Sequence, residues 1–358
     1  MTRRQVRAGF VAVTIAGLVA IAVASTRVDS LQGPIPGPLT GDDVAGRAAP
    51  DFTGIEEWLN GGPVSIEDLR GSVVLVDFWT YSCVNCVRTF PHLRALYAAY
   101  HPFGVEIVGV HSPEFAFERE IDNVQAAIER HGLPYPVALD NDMETWRAYA
   151  NRYWPHVYVI DAEGVIRYHH IGEGGEEQLQ AQVRTLLAEA GRSLPAEIAF
   201  APGGPSRGIT PEIYTGPKRG IIQDSLANDE GWHPAEPFAY AEAGESEVRA
   251  AGTGGRFFLE GTWEAGEEFV RAVGGSTAVV LPFHARDVFF VGDGDATVRV
   301  LLDGRPIPAG ARGDDVTGEL IAVDHADLYG AIRLARPETH VLRLEVEPGF
   351  RIYSFTFG

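Results

Sequence analysis

The chain has 358 residues, of which 45% are apolar and 22% charged, with a formal net charge of −20. At about 150 residues per domain, this length predicts two domains. The acidic balance argues against nucleic acid, whose binders need basic surfaces. Arg3, Arg4 and Arg7 precede a charge-free run from Ala8 to Ser25, with Ala22-Val23-Ala24 as a cleavage pattern. Residues 1–29 therefore read as a signal peptide or a retained membrane anchor, since about 18 residues is near the lower limit for spanning a bilayer. Arg3-Arg4 also fits twin-arginine export. Either reading predicts an extracytoplasmic protein, secreted or tethered to the cytoplasmic membrane. Residues 30–48, rich in Pro, Gly and small side chains, read as a linker.

The first domain is expected over residues 49–191. Ser65 to Leu69 suggests a capped turn of helix. Val73 to Trp79 reads as a strand buried on both faces, interrupted only by Asp77. Apolar residues then recur at helical spacing from Asn85 to Tyr100, and Val105 to His111 is a second strand. Helices around Ile121 to Gly132, Met143 to Ala150 and Glu176 to Ala190 alternate with a strand at Val137 to Leu139. His156 to Ile160 and Val165 to Ile171 read as a hairpin. The order gives an α/β layer with a mixed sheet.

Residues 192–218 read as a linker or extended arm. Beyond it, over 219–358, short strand candidates follow one another with almost no helical pattern: Phe257–Leu259, Glu267–Val273, Thr277–Leu281, Val288–Val291, Thr297–Leu302, Leu320–Val323, Ala331–Leu334, His340–Val346 and Arg351–Phe357. Gly274-Gly275, Asp293-Gly294 and similar pairs separate many of them as turns. The expectation is an all-β, jelly-roll-like sandwich.

The chemistry concentrates at Cys83-Val84-Asn85-Cys86, which holds the only two cysteines of the chain. A disulfide this close in sequence closes a tiny loop and stabilises little, so it suits chemistry better than stapling. Cys83 at a helix start would face unsatisfied N–H groups and the positive dipole end, which favours the attacking thiolate. Cys86, one turn on, would resolve the mixed disulfide. Zinc would want two further ligands at short spacing, and His92 has no second cluster beside it. His111, His169 and His170 sit at strand ends in structural roles. Asp77 inside an apolar strand needs a partner or a function: it is placed to exchange the proton of Cys86, unless it lies at an exposed strand end. Pro155 opens a strand, where proline is tolerated without function; beside a dithiol, a cis proline would let the preceding backbone pair with a substrate strand.

The segments Phe78 to Thr89, Val110 to Phe115, Asp140-Asn141-Asp142, Tyr153-Trp154-Pro155 and His169 to Gly174 resemble thioredoxin-fold proteins of the TlpA and ResA type. With Thr210-Pro211-Glu212-Ile213-Tyr214 and Phe355-Thr356-Phe357-Gly358, the chain is similar to the extracytoplasmic C-terminal part of DipZ-like proteins. The resemblance implies a thioredoxin-like domain followed by a sandwich resembling carbohydrate-binding modules. It also implies a Cys83–Cys86 redox pair, Asp77 as buried acid, Pro155 as cis proline, and Trp79, Tyr81, Trp154 and Pro155 as residues that meet the substrate. No cofactor beyond the redox disulfide is implied. Clients would be disulfide-bearing proteins, as in cytochrome c biogenesis, and electrons would come from a membrane donor of the CcdA or DsbD type. The glutamate that ResA-type proteins place near the strand start or after the cysteines, where this chain has Thr89, does not carry over.

Two other readings compete with that of a thiol–disulfide oxidoreductase acting as reductase. Thr80 and Cys83 share the Thr-x-x-Cys spacing of thiol peroxidases. Trp232, Tyr240, Trp263 and Tyr329 could instead stack on a glycan, unless they prove to be core aromatics.

Overall fold

The computed structural model describes residues 44–200 and 208–358; the signal peptide or anchor and most of the 30–48 linker lie outside the described residues. The first sheet forms around β2 (Val73–Trp79), whose seven residues are all buried. Side chains along a strand alternate between faces. Val73, Leu75 and Trp79 accordingly join one apolar cluster, which includes Cys86, Phe90 and Leu93 of α1 (Val84–Tyr100). Val74, Val76 and Phe78 join a second cluster on the opposite face. A strand covered on both sides needs no polar face, which is why its sequence is nearly continuous hydrophobe.

β3 (Val105–His111) runs parallel to β2, and β4 (Val137–Leu139), reached through α2 (Ile121–His131), runs parallel to β3. After α3 (Glu144–Ala148), β5 (His156–Ile160) pairs antiparallel with the other edge of β2 and with β6 (Ile166–Ile171). A short β1 (Trp58–Leu59), absent from the sequence reading, edges β4, and α4 (Glu176–Glu189) closes the layer. The strand order β1-β4-β3-β2-β5-β6 is that of a thioredoxin-like α/β domain. The end of the expected linker already belongs to it, because Val44 is buried and Ala48 bridges to Val165.

The remainder is antiparallel. Residues 192–218 do more than link: they contain β7 (Ile213–Tyr214) and the start of α5 (Pro217–Gln223). A second short helix, α6 (Glu245–Ala251), follows β8 (Phe238–Tyr240). Two turns of helix are too short to register as periodicity, so both escaped the sequence reading. Three of the expected strands prove to be one, β10 (Val270–Asp293), and two others merge into β14 (Asp327–Val346). Gly274-Gly275 is not a turn but an irregularity in the pairing of β10 with β9 (Phe258–Ala265), with Gly275 at φ +74°. β10 curls until Val270 near one end and Gly292 near the other both face Ile352 of β15 (Arg351–Phe357). β11 (Ala296–Leu302), β12 (Arg305–Pro306) and β13 (Leu320–Val323) extend the same network, and β7 pairs with β15.

The aromatics offered as a glycan platform serve this interior instead. Trp263 is 1% exposed and donates its indole N–H to the Glu260 carbonyl at 2.8 Å. Tyr329 is buried with its hydroxyl on the His325 carbonyl, Tyr240 is buried, and Trp232 packs against the same core. That platform is overturned.

The β region docks directly on the α/β domain. Phe115 and Phe117, after β3, pack edge-on against Tyr353 at ring distances of 5.3 and 4.7 Å. Arg130 of α2 forms an ion pair with Asp327, and the Tyr81 hydroxyl donates to the Ala326 carbonyl at 3.3 Å.

Candidate active site

β2 ends at Trp79, and a three-residue turn delivers the chain into α1. Cys83 is the N-cap, with φ −82° and ψ 106°, and its Sγ accepts the Cys86 backbone N–H at 3.2 Å. The sulfur thus takes one of the orphan donors of the first helical turn. Cys83 keeps part of its surface open, whereas Cys86 is sealed, so only Cys83 can meet a second molecule. Both are free thiols.

The helix start does not dominate the Cys83 thiol, as the sequence had suggested. Burial pushes its pKa up, hydrogen bonds from Cys86 pull the other way, and the acids Glu114 and Glu212 push it up again. Cys86 is pushed well up, by burial first, then by Cys83 and by Asp77. Neither thiol is held as a thiolate by a neighbouring cation.

Asp77 is fully buried, not at an exposed strand end. It shares the parity of Val73, Leu75 and Trp79, so it points into the layer that holds Cys86. Neither of its oxygens has a hydrogen-bond partner, and burial raises its pKa to about 7. A carboxyl buried without partners is costly and is a mark of function more than of packing. Opposite it in the parallel register is Gly109. A Cβ there would come within 2.8 Å of Trp79 Nε1 and 3.4 Å of the Tyr135 ring, so this glycine leaves the space that those two rings fill.

Trp154-Pro155 is a cis peptide at the start of β5. The Trp154 indole donates to the Ser112 carbonyl at 3.0 Å and stands with Cys83 in a cleft of about 600 Å³. Of the residues expected to meet substrate, Trp154 lines that cleft and Pro155 adjoins it, with the exposed Tyr153 as a further wall. Trp79 and Tyr81 do not. Trp79 is fully buried edge-on to Phe90 and His111, and Tyr81 is 2% exposed with its hydroxyl spent on Ala326. Their role is to hold the turn from beneath.

His111 lies among them, fully buried, with Nε2 3.3 Å from Thr80 Oγ1, and burial lowers its pKa to about 3. It is neutral and structural. Among the described residues no group of three or more metal-ligating side chains occurs.

Sequence reasoning missed the acids around this turn. Glu118 is fully buried and accepts from the Ser82 hydroxyl at 2.5 Å and from the backbone N–H groups of Glu114 and Phe115 at 2.5 and 2.9 Å. Burial and then Glu114 raise its pKa to about 7. Glu212 and Tyr214 reach the cleft from β7 and the residues before it, and Arg219 reaches it from α5. Val110 to Phe115 and Thr210 to Tyr214 both carried the family resemblance, but nothing in sequence says that two segments 100 residues apart meet at one cleft.

A Cys-x-x-Cys pair at a strand-to-helix junction of a thioredoxin-like sheet, with the first sulfur open and the second buried, defines a thiol–disulfide oxidoreductase. The AhpC/TSA family matches residues 45–169, and the family described as thioredoxin-like C-terminal domain matches residues 210–358. The chain is 38% identical over 320 residues to protein DipZ of Mycobacterium tuberculosis, covering 87% of this chain and 43% of DipZ. It is 30% identical to the thiol-disulfide oxidoreductase YkuV of Bacillus subtilis over 141 residues, which are 39% of this chain and 94% of YkuV. With ResA of Halalkalibacterium halodurans the identity is 32% over 146 residues, 41% of this chain and 79% of ResA. The chain belongs to the thioredoxin-like thiol–disulfide oxidoreductases. It spans less than half the length of the DipZ proteins it matches.

Proposed function

We propose that the protein is an extracytoplasmic reductase of protein disulfides, held at or released from the membrane by its N-terminal apolar segment. Its electrons would come from a membrane donor of the CcdA or DsbD type. The observation that carries the direction of transfer is the setting of Cys83: it shares its cleft with the acids Glu114 and Glu212, the Arg219 guanidinium there is spent on Glu114, and burial works against the thiolate. A strong oxidant needs a strongly stabilised thiolate in its reduced form.

In the forward reaction the Cys83 sulfur attacks a client disulfide, forming a Cys83–client disulfide and releasing one client sulfur as a thiol. Cys86 then gives its proton to Asp77 and attacks Cys83 Sγ, closing the Cys83–Cys86 disulfide and releasing the second client thiol. Two electrons and two protons pass to the client. The cleft beside the cis Trp154-Pro155 peptide receives the client strand. Reducing the pair anew falls to the membrane donor.

Equilibration in a dithiothreitol redox buffer tests the direction. The expected potential lies near that of thioredoxin, about −270 mV, and one near that of DsbA, about −120 mV, would overturn it. Peroxidase chemistry is less well supported, since Thr80 is fully buried with its hydroxyl beside His111 rather than offered to a peroxide.

A further inference from the structure

The cleft in front of Cys83 is walled on one side by the β region, and the acids in it are not equivalent. The Tyr214 hydroxyl lies between two carboxyls, 2.5 Å from Glu114 Oε1 and 3.2 Å from Glu212 Oε2. Arg219 forms an ion pair with Glu114 and lies over the Tyr214 ring at 4.4 Å. A phenol has one hydrogen. Spent on the nearer, ion-paired Glu114, it leaves only a lone pair toward Glu212. A hydrogen bond between Tyr214 and Glu212 then requires the proton to sit on Glu212. Glu212 is thereby the member of the pair that holds a proton.

The α/β domain supplies no such group to the cleft, since its buried acids Asp77 and Glu118 do not line it. Thr89, one turn beyond Cys86, spends its hydroxyl on the Cys86 carbonyl at 2.8 Å. Glu173 also lines the cleft but pairs with Arg88 at 3.5 Å. Arg152 and Tyr153 stand at the cleft, and behind the Tyr214 ring Lys218 pairs with Glu268 at 3.0 Å. Glu212 remains as the carboxyl with no cation of its own in the same cleft as the nucleophile.

We propose that Glu212 is the general acid of the exchange at Cys83, supplied by the β region to complete the active site of the α/β domain. This rests on the reading as a disulfide reductase. The Cys83 thiol loses its proton to solvent, and its thiolate attacks a client R–S–S–R′. The Cys83–S–R bond forms and the S–S bond breaks. The electron pair leaves on R′–S⁻, to which protonated Glu212 gives its proton as R′–SH, and the Glu212 carboxylate regains a proton from solvent. Glu212 keeps its surface open to the cleft, and the protein around it, then Glu114, raise its pKa to about 8 despite Arg219 nearby, which suits it to hold a proton near neutrality.

The test uses the full chain and two substrates. One is a protein disulfide whose alkyl thiolate must be protonated on leaving; the other is an aromatic disulfide whose leaving thiolate needs no proton. Glu212→Gln keeps the size and the hydrogen bond to Tyr214 but cannot exchange a proton. It should reduce the protein disulfide about tenfold or more slowly and lose the alkaline fall of the rate–pH profile. Reduction of the aromatic disulfide should be unchanged or faster. Tyr214→Phe, which removes the lone pair that receives the Glu212 proton, should move the alkaline fall to lower pH, and Glu212→Asp should keep part of the wild-type rate. Equal slowing with both substrates, or a wild-type profile in both Glu212→Gln and Tyr214→Phe, would overturn the inference. If wild type is no faster than Cys83→Ser, the reductase reading itself fails; if wild type outpaces Cys83→Ser and Glu212→Gln is as fast as wild type on the protein disulfide, this inference alone fails.

Discussion

Ser82 Oγ and Glu118 Oε1 are 2.5 Å apart, which ties the turn carrying the nucleophile to the loop after β3. The other oxygen of the same carboxyl accepts two backbone N–H groups of that loop. Glu118→Ala would leave a hydroxyl and two N–H groups unpaired in the interior. At about 1–3 kcal/mol for each buried group left without a partner, reduced by relaxation, a loss of about 3 kcal/mol is expected in urea denaturation.

Asp77→Asn separates the stability of the fold from its chemistry. Asp77 has a folded pKa of about 7, above its ordinary 3.8. The folded state therefore binds its proton more tightly than the unfolded chain. The contribution of Asp77 is most favourable below about pH 4 and is lost as pH rises toward 7. Asparagine removes that loss, so the variant should gain up to about 4 kcal/mol at pH 8 and nothing at pH 4. In rapid quench it should also accumulate the Cys83–client disulfide, because Cys86 has lost its proton acceptor.

Phe115→Ala tests whether the β region and the α/β domain are held together by their shared apolar cluster. Phe115 is 4% exposed and packs on Phe117 and Tyr353. Its truncation should cost about 3–4 kcal/mol. Because the cluster lies between the two parts, calorimetry should show one wild-type transition split into two.

Gly109→Ala probes the floor beneath the dithiol. The added methyl would meet the Trp79 indole at 2.8 Å inside a packed core. An overpacking loss of about 1–3 kcal/mol is expected, with a red-shifted Trp emission as the ring is displaced.

The sequence was most legible where local pattern and burial agree. Val73 to Trp79 followed by Cys83 reads as a strand entering a helix at a reactive thiol, and Asp77 stood out because the rest of its strand is apolar. Thr210 to Tyr214 was illegible for the opposite reason. Its place as an edge strand and its reach to Cys83 depend on β15, more than 130 residues away in the chain. Gly274-Gly275 misled because a glycine pair permits a bulge as readily as a turn, and only the pairing of β9 and β14 along β10 decides between them. Trp263 and Tyr329 left two readings open for a related reason, since an aromatic on a strand does not declare which face is buried.

The most direct test of Cys83 as the attacking sulfur and Cys86 as the resolving one is trapping with Cys86→Ser. Incubated with a protein disulfide and resolved without reductant, the full-length variant should carry one client, and mass spectrometry should place the bond on Cys83. An adduct on Cys86 in Cys83→Ser, with none in Cys86→Ser, would contradict the account.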